Sequence, residues 1–138
     1  MSNENLKQRT KTFALDVIKL VETLPNDRTS AVIGGQLLRA GTSVGANYRA
    51  ACRAKSAADF ISKMGTVEEE ADESGYWVEL LVAAAKLKPE RAGHVLGESG
   101  ELVAIAVASI NTARRNNARN PTRASARSTP HSTLRTPH

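Results

Sequence analysis

Residues 36–81 read QLLRAGTSVGANYRAACRAKSAADFISKMGTVEEEADESGYWVELL, and the fold class follows from this stretch. In its second half Phe60, Met64, Val67, Ala71, Ser74, Val78 and Leu81 recur at spacings of four and three, which lines them along one side of a helix. In the first half Ile33, Leu37, Ala40, Val44, Asn47 and Ala51 keep the same rhythm. Ser56, with Asp59 three residues on, is placed to cap the second helix. The turn therefore lies near Arg53 to Ser56, and so short a connection forces two antiparallel helices into contact.

Working outward, Leu6, Thr10, Phe13, Val17, Leu20 and Leu24 form an earlier seam that Pro25 stops. Asn26 or Asp27 is positioned to cap the next helix. After the hairpin, Leu87-Lys88-Pro89-Glu90 ends one helix and starts another, with Pro89 suited to a first turn. Ala92, Leu96, Ser99, Val103, Ala106, Ile110 and Ala113 then repeat the spacing. The expectation is an all-α, antiparallel up-down four-helix bundle over residues 1–113, with helices at about 5–24, 29–53, 56–87 and 89–113. Residues 114–138 are rich in Arg, Ser, Thr and Pro, with Leu134 the one sizeable apolar side chain, and read as a disordered basic tail.

At 138 residues the chain can bury a core without disulfides or metal. Its single cysteine, Cys52, excludes an intrachain disulfide framework and suits a reducing cytoplasm. The polar N-terminus MSNENLKQRT lacks the apolar core of a secretory signal, and no run reaches the roughly 18 apolar residues of a membrane span. A cytoplasmic protein without a membrane partner is expected. The net charge of +5 is unevenly distributed. Residues 1–113 sum to −1 and residues 114–138 to +6, so along the chain the basic excess belongs to the tail.

On a helical wheel the segment 29–53 shows three faces. Gly34, Gly41, Gly45 and Cys52 form a strip of small side chains beside the seam, suited to close helix packing; no Gly-Lys-Ser/Thr and no strand supports phosphate cradling. Arg39, Arg49 and Arg53 lie opposite the seam, either as a solvated face or as phosphate contacts. Asn47 sits on the seam, where a buried amide bonding across the bundle would fix register. Thus Gly41, Gly45 and Asn47 are read as structural.

The acidic run Glu68, Glu69, Glu70, Asp72 and Glu73 precedes Tyr76 and Trp77. A di-metal bundle site needs Glu-x-x-His pairs, and the residues three after Glu70 and Glu73 are Glu73 and Tyr76. No metal and no cofactor is expected. The acids are better matched to Arg39, Arg49 and Arg53, within the chain or across a subunit interface. Tyr76 lies off the seam, as a contact aromatic or as part of a wide intramolecular face. No Ser-His-Asp set, nucleophile elbow or phosphate loop occurs, so the chain is not expected to be an enzyme. Arg115, Arg119, Arg123 and Arg127 are spaced by four, and a helix induced on RNA would align them, although Pro121 interrupts it.

QLLRAGTSVGANYRAACRAKSAADFISK followed by EEADESGYWVELL closely resembles the 23S rRNA intervening-sequence proteins, four-helix bundle proteins first noticed as reading frames inside extra segments of bacterial 23S rRNA genes. The resemblance runs from about Lys11 to Arg114 and is most specific in Gly45-Ala46-Asn47, in Asp59-Phe60-Ile61, and in Glu73 with Tyr76-Trp77. It implies an up-down bundle assembled as a ring-like homopentamer. A related branch resembles the accessory variability determinant of diversity-generating retroelements, a basic pentamer that binds nucleic acid and a reverse transcriptase.

Two functions are expected from this reading. In one, a homo-oligomeric accessory protein holds RNA or DNA through Arg39, Arg49, Arg53, Arg114, Arg115, Arg119, Arg123 and Arg127, without reading sequence. In the other, the oligomer is a scaffold for another protein, with Glu73, Tyr76 and Trp77 at contacts.

Overall fold

The computed structural model describes residues 3–119, which form four helices: α1 (Asn3–Glu22), α2 (Arg28–Cys52), α3 (Ala57–Ala83) and α4 (Pro89–Arg119). Consecutive helices pack against each other in antiparallel pairs, and a smaller contact between α1 and α4 closes the bundle. The core runs through all four, with Phe13, Val17, Leu37, Val44, Met64, Val78, Leu81 and Leu102 almost wholly buried. The four-three spacing produces this arrangement because each helix offers one apolar stripe that only a neighbouring stripe can cover.

Polar side chains hold the connections. Asp27 caps α2, its carboxylate accepting from the Ser30 amide at 2.8 Å. Ser56 caps α3 by accepting from the Asp59 amide at 3.0 Å, and the Asp59 carboxylate reaches back to the Lys55 amide at 3.1 Å. The last turn of α1 tightens through bonds from the Thr23 and Leu24 amides to the Leu20 and Val21 carbonyls before Pro25.

Two helix ends differ from the sequence expectation. α3 stops at Ala83 rather than near 87, because Ala85 takes a left-handed backbone (φ 60°). The Lys86 amide then bonds to the Leu81 carbonyl and the Ala85 amide to that of Val82, a Schellman closure built on alanine. Leu87, freed from the helix, turns inward and is buried. α4 continues to Arg119, six residues past the expected boundary at 113. Arg and Ala propagate a helix well, and arginines in its last turns complement the negative end of the helix dipole. The rest of the expected tail, 120–138, lies outside the described residues.

Close packing concentrates on α2. A methyl group at Gly41 would lie 2.8 Å from both Val17 methyls, one at Gly34 would lie 2.8 Å from Leu24, and one at Gly45 would lie 3.1 Å from the Thr10 hydroxyl. The small strip on α2 therefore receives α1. Asn47 does not bond across the bundle: it is half-buried, and its side-chain amide donates to the Ser43 carbonyl of its own helix at 2.8 Å. Tyr48, one residue on, is the buried side chain there. The reason is rotational, since α1 docks on the glycine strip and turns the inward direction of α2 from Asn47 towards Tyr48. By length and composition α4 would also qualify as a membrane-crossing segment. Here its Val95, Leu102, Ala106 and Ile110 form part of the core.

Candidate nucleic-acid interface

Each candidate arginine has a different surrounding. Arg39, midway along α2, donates to Glu73 of α3 and lies 3.5 Å from Glu70. Glu73 also accepts from the Trp77 indole at 3.0 Å, and Trp77 meets Tyr76 edge to face at 5.1 Å between ring centres. Arg39, Glu70, Glu73 and Trp77 thus form one network stitching α2 to α3, with Arg39 about half-exposed and Tyr76, 54% exposed, facing outward beside it. Arg39 is committed to two carboxylates. Arg49 and Arg53 are exposed and have no carboxylate partner among the described residues.

The antiparallel topology then produces something absent from the linear charge count. The start of α1, the end of α2, the turn 53–56, the start of α3 and the end of α4 all meet at one end of the bundle. Counted ten helical residues from that end, the segments carry Lys7, Arg9, Lys11, Arg49, Arg53, Lys55, Lys63, Arg114, Arg115 and Arg119 with the carboxylates Glu4 and Asp59, while Glu98 and Glu101, further back on α4, reach Arg9. Over the rest of the described residues six Lys and Arg face twelve Asp and Glu. A body that sums to nearly zero is therefore strongly polarised along its axis, with one cationic end. The excess is not confined to the tail, which is the correction the tertiary structure makes to the sequence reading.

Some of these cations are already engaged. Arg9 makes a two-pronged bond to Glu98 of α4, at 2.6 and 2.9 Å, and this pairing holds the Glu98 carboxyl below its usual range. Lys7 pairs with Glu4 at 3.8 Å and Lys63 with Asp59 at 2.5 Å. Lys11, Arg49, Arg53, Lys55, Arg114, Arg115 and Arg119 are exposed and make no ion pair among the described residues. Nothing in the linear sequence marks Lys7, Arg9, Lys11, Lys55 and Lys63 as members of one group. Summing charge by helix end in an alternating up-down order would have found them.

Other polar groups serve the packing. Burial pushes the Tyr48 phenol well above its ordinary value, and Cys52 lies beside it. Asp27 is held below the usual carboxylate range by its bond from the Ser30 amide, with Lys86 adding at 3.2 Å. His94 meets Asp16 at 3.0 Å on the exposed α1–α4 side. Among the described residues no group of three His, Cys, Asp or Glu side chains is placed to hold a metal ion. Arg123 and Arg127 lie outside the described residues.

Fold and charge layout together define a class, that of small antiparallel four-helix bundle proteins with one cationic end. The chain belongs to the 23S rRNA-intervening sequence protein family, whose model matches residues 3–108. That range includes Arg39, Arg49 and Arg53 and stops short of Arg114. Among solved structures, the chain is similar to a protein of unknown function from the S23 ribosomal protein family of Bacteroides thetaiotaomicron. The two are 36% identical, with a TM-score of 0.71, over 75% of this chain and 96% of the other. No curated protein matches the chain.

Proposed function

We propose that this chain is a non-enzymatic, homo-oligomeric accessory protein of the cytoplasm that binds RNA through phosphate contacts at its cationic end. The observation that carries the reading is the set of exposed cations at that end that have no carboxylate partner among the described residues, Arg49, Arg53, Lys55, Arg114, Arg115 and Arg119 foremost. Contacts of this kind supply affinity without reading base sequence, and they make binding steeply salt-dependent. Arg39 is left out of this set, because its guanidinium pairs with Glu70 and Glu73. The family's name, drawn from sequences inserted in 23S rRNA, agrees with an RNA-associated role.

Self-association, as the pentamer that the family resemblance implies, draws support from Val32 on α2 and Tyr76 on α3. These are the most exposed of the large apolar side chains, at 59% and 54%, and they stand on the helix pair that the Arg39 network joins. Light scattering of the wild type and of Tyr76→Glu tests this part; a monomeric wild type would remove it.

The RNA reading is tested by fluorescence anisotropy of a structured RNA titrated at several salt concentrations, with the full chain, with a chain ending at Arg119, and with the full-chain triple variant R49A/R53A/K55A. Binding by the first two is expected, and the triple variant should lower the salt slope by about 3. Should no form bind at physiological salt, the scaffold function with Tyr76 and Trp77 at its contacts takes its place.

A further inference from the structure

We infer that the cationic end binds double-helical RNA in preference to unpaired strands, an inference that rests on the RNA-binding reading above. Two independent features of the molecule lead to it. One is the placement of its aromatic rings. Proteins that hold unpaired strands without sequence preference stack successive bases on exposed rings, at about 1–3 kcal/mol per base. The chain has five aromatic residues. Phe13 and Tyr48 are buried, and Phe60 packs against the core. Tyr76 and Trp77 lie some 20 residues into α3, roughly 30 Å along the helix from the cationic end. Among the described residues no Phe, Tyr or Trp ring at that end is exposed, since Phe60, four residues into α3, is partly buried against the core.

The other feature is the arrangement of the cations that make no ion pair among the described residues. Lys11 comes from α1, Arg49 from α2, Arg53 and Lys55 from the following turn, and Arg114 and Arg115 from α4. Packed helices stand about 8–10 Å apart, so these charges spread over the cross-section of a bundle instead of following one groove. An unpaired strand is a single line of phosphates that a groove tracks. A double helix presents two rows of phosphates on a stiff surface, with a higher charge density and a larger counterion release per contact. In A-form RNA those rows flank a wide, shallow groove, and recognition proceeds by shape and backbone. Cations carried on a fixed frame of packed helices suit a stiff double row of phosphates. The acidic remainder of the bundle repels the same polymer, which orients the encounter end-on.

The test uses the full chain with two probes, a mixed-sequence RNA duplex of about 20 base pairs and an oligouridine of the same length. Anisotropy titrations at physiological salt should show the duplex bound at least roughly tenfold more tightly. In R49A/R53A/K55A the duplex salt slope should fall by about 3 and the preference should disappear. R49K/R53K, which keeps the charges, should retain both. Circular dichroism establishes that each variant keeps its helix content. Equal or tighter binding of the oligouridine overturns the inference while leaving RNA binding in place. Binding of neither probe overturns both. A duplex preference that survives in the triple variant shows that another surface carries it, and so overturns the assignment to this end.

Discussion

Arg39 of α2 and Glu73 of α3 are bonded directly across 34 residues of sequence, and Glu73 passes the connection to the Trp77 indole. The pair turns two charges that looked like surface decoration into a clamp between helices. Arg39→Ala should therefore lower stability, by on the order of 1 kcal/mol for a half-exposed pair, and leave RNA affinity unchanged. Trp77 is the only tryptophan, so its fluorescence reports the clamp. A red shift of its emission is expected in Arg39→Ala, and loss of RNA affinity in that variant would return Arg39 to the interface.

The α1–α2 contact is closest at Gly41. A methyl group there would lie 2.8 Å from both methyls of Val17, and 3.0 Å from its Cβ, in a fully buried site. Gly41→Ala should destabilise the bundle by about 1–3 kcal/mol, since a β-branched partner cannot swing aside. Gly35, six residues earlier on the exposed face of α2, has nothing within 4 Å of such a methyl. Gly35→Ala should stabilise by roughly 0.5–1 kcal/mol. Urea unfolding of the two variants should give midpoints on opposite sides of the wild type.

Ala85 closes α3 with a left-handed backbone that glycine adopts without steric cost. Ala85→Gly should raise stability by about 1 kcal/mol, a gain of roughly 3–5 °C in Tm. Calorimetry checks this, and a lower Tm would mean that the alanine methyl contributes more through packing than its backbone costs.

Acid should weaken the fold through two carboxylates. Glu98 is held below its usual pKa by the Arg9 bond, and Asp27 by the Ser30 amide. A carboxyl depressed in the folded state binds fewer protons than in the unfolded chain, so its contribution is complete above the unfolded value and is lost as pH falls through the folded one. Stability should decline from about pH 5 downward, where unfolded carboxyls begin to protonate. Glu98→Gln should be less stable at neutral pH and show a shallower decline. A Tm profile parallel to that of the wild type between about pH 5 and pH 3 would exclude Glu98 as a source of the acid sensitivity.

Much of the fold was legible because helices and caps are local. The spacing of Phe60 to Leu81, the Ser56 cap and the Pro25 stop depend on neighbours within a few residues, and the chain states them directly. The strip Gly34, Gly41 and Gly45 was legible too, since only close approach of another helix gives three glycines on one flank a common use. The choice between Asn47 and Tyr48 was not legible. Adjacent helix positions are 100° apart, and the side on which α1 docks decides which of them turns inward. The Schellman closure at Ala85 was hidden for a related reason, as alanine carries no signal for a left-handed turn.

Four amphipathic helices with short connections are written into the chain itself, because period and punctuation depend on near neighbours alone. Where the charge lies depends on packing. Residues 3–12, 43–66 and 110–119 are far apart in sequence, and each carries a modest basic excess. Antiparallel packing brings these segments to one end and leaves the acids of α3 and α4 along the remainder. Coulomb interactions add by distance in space, not by distance along the chain.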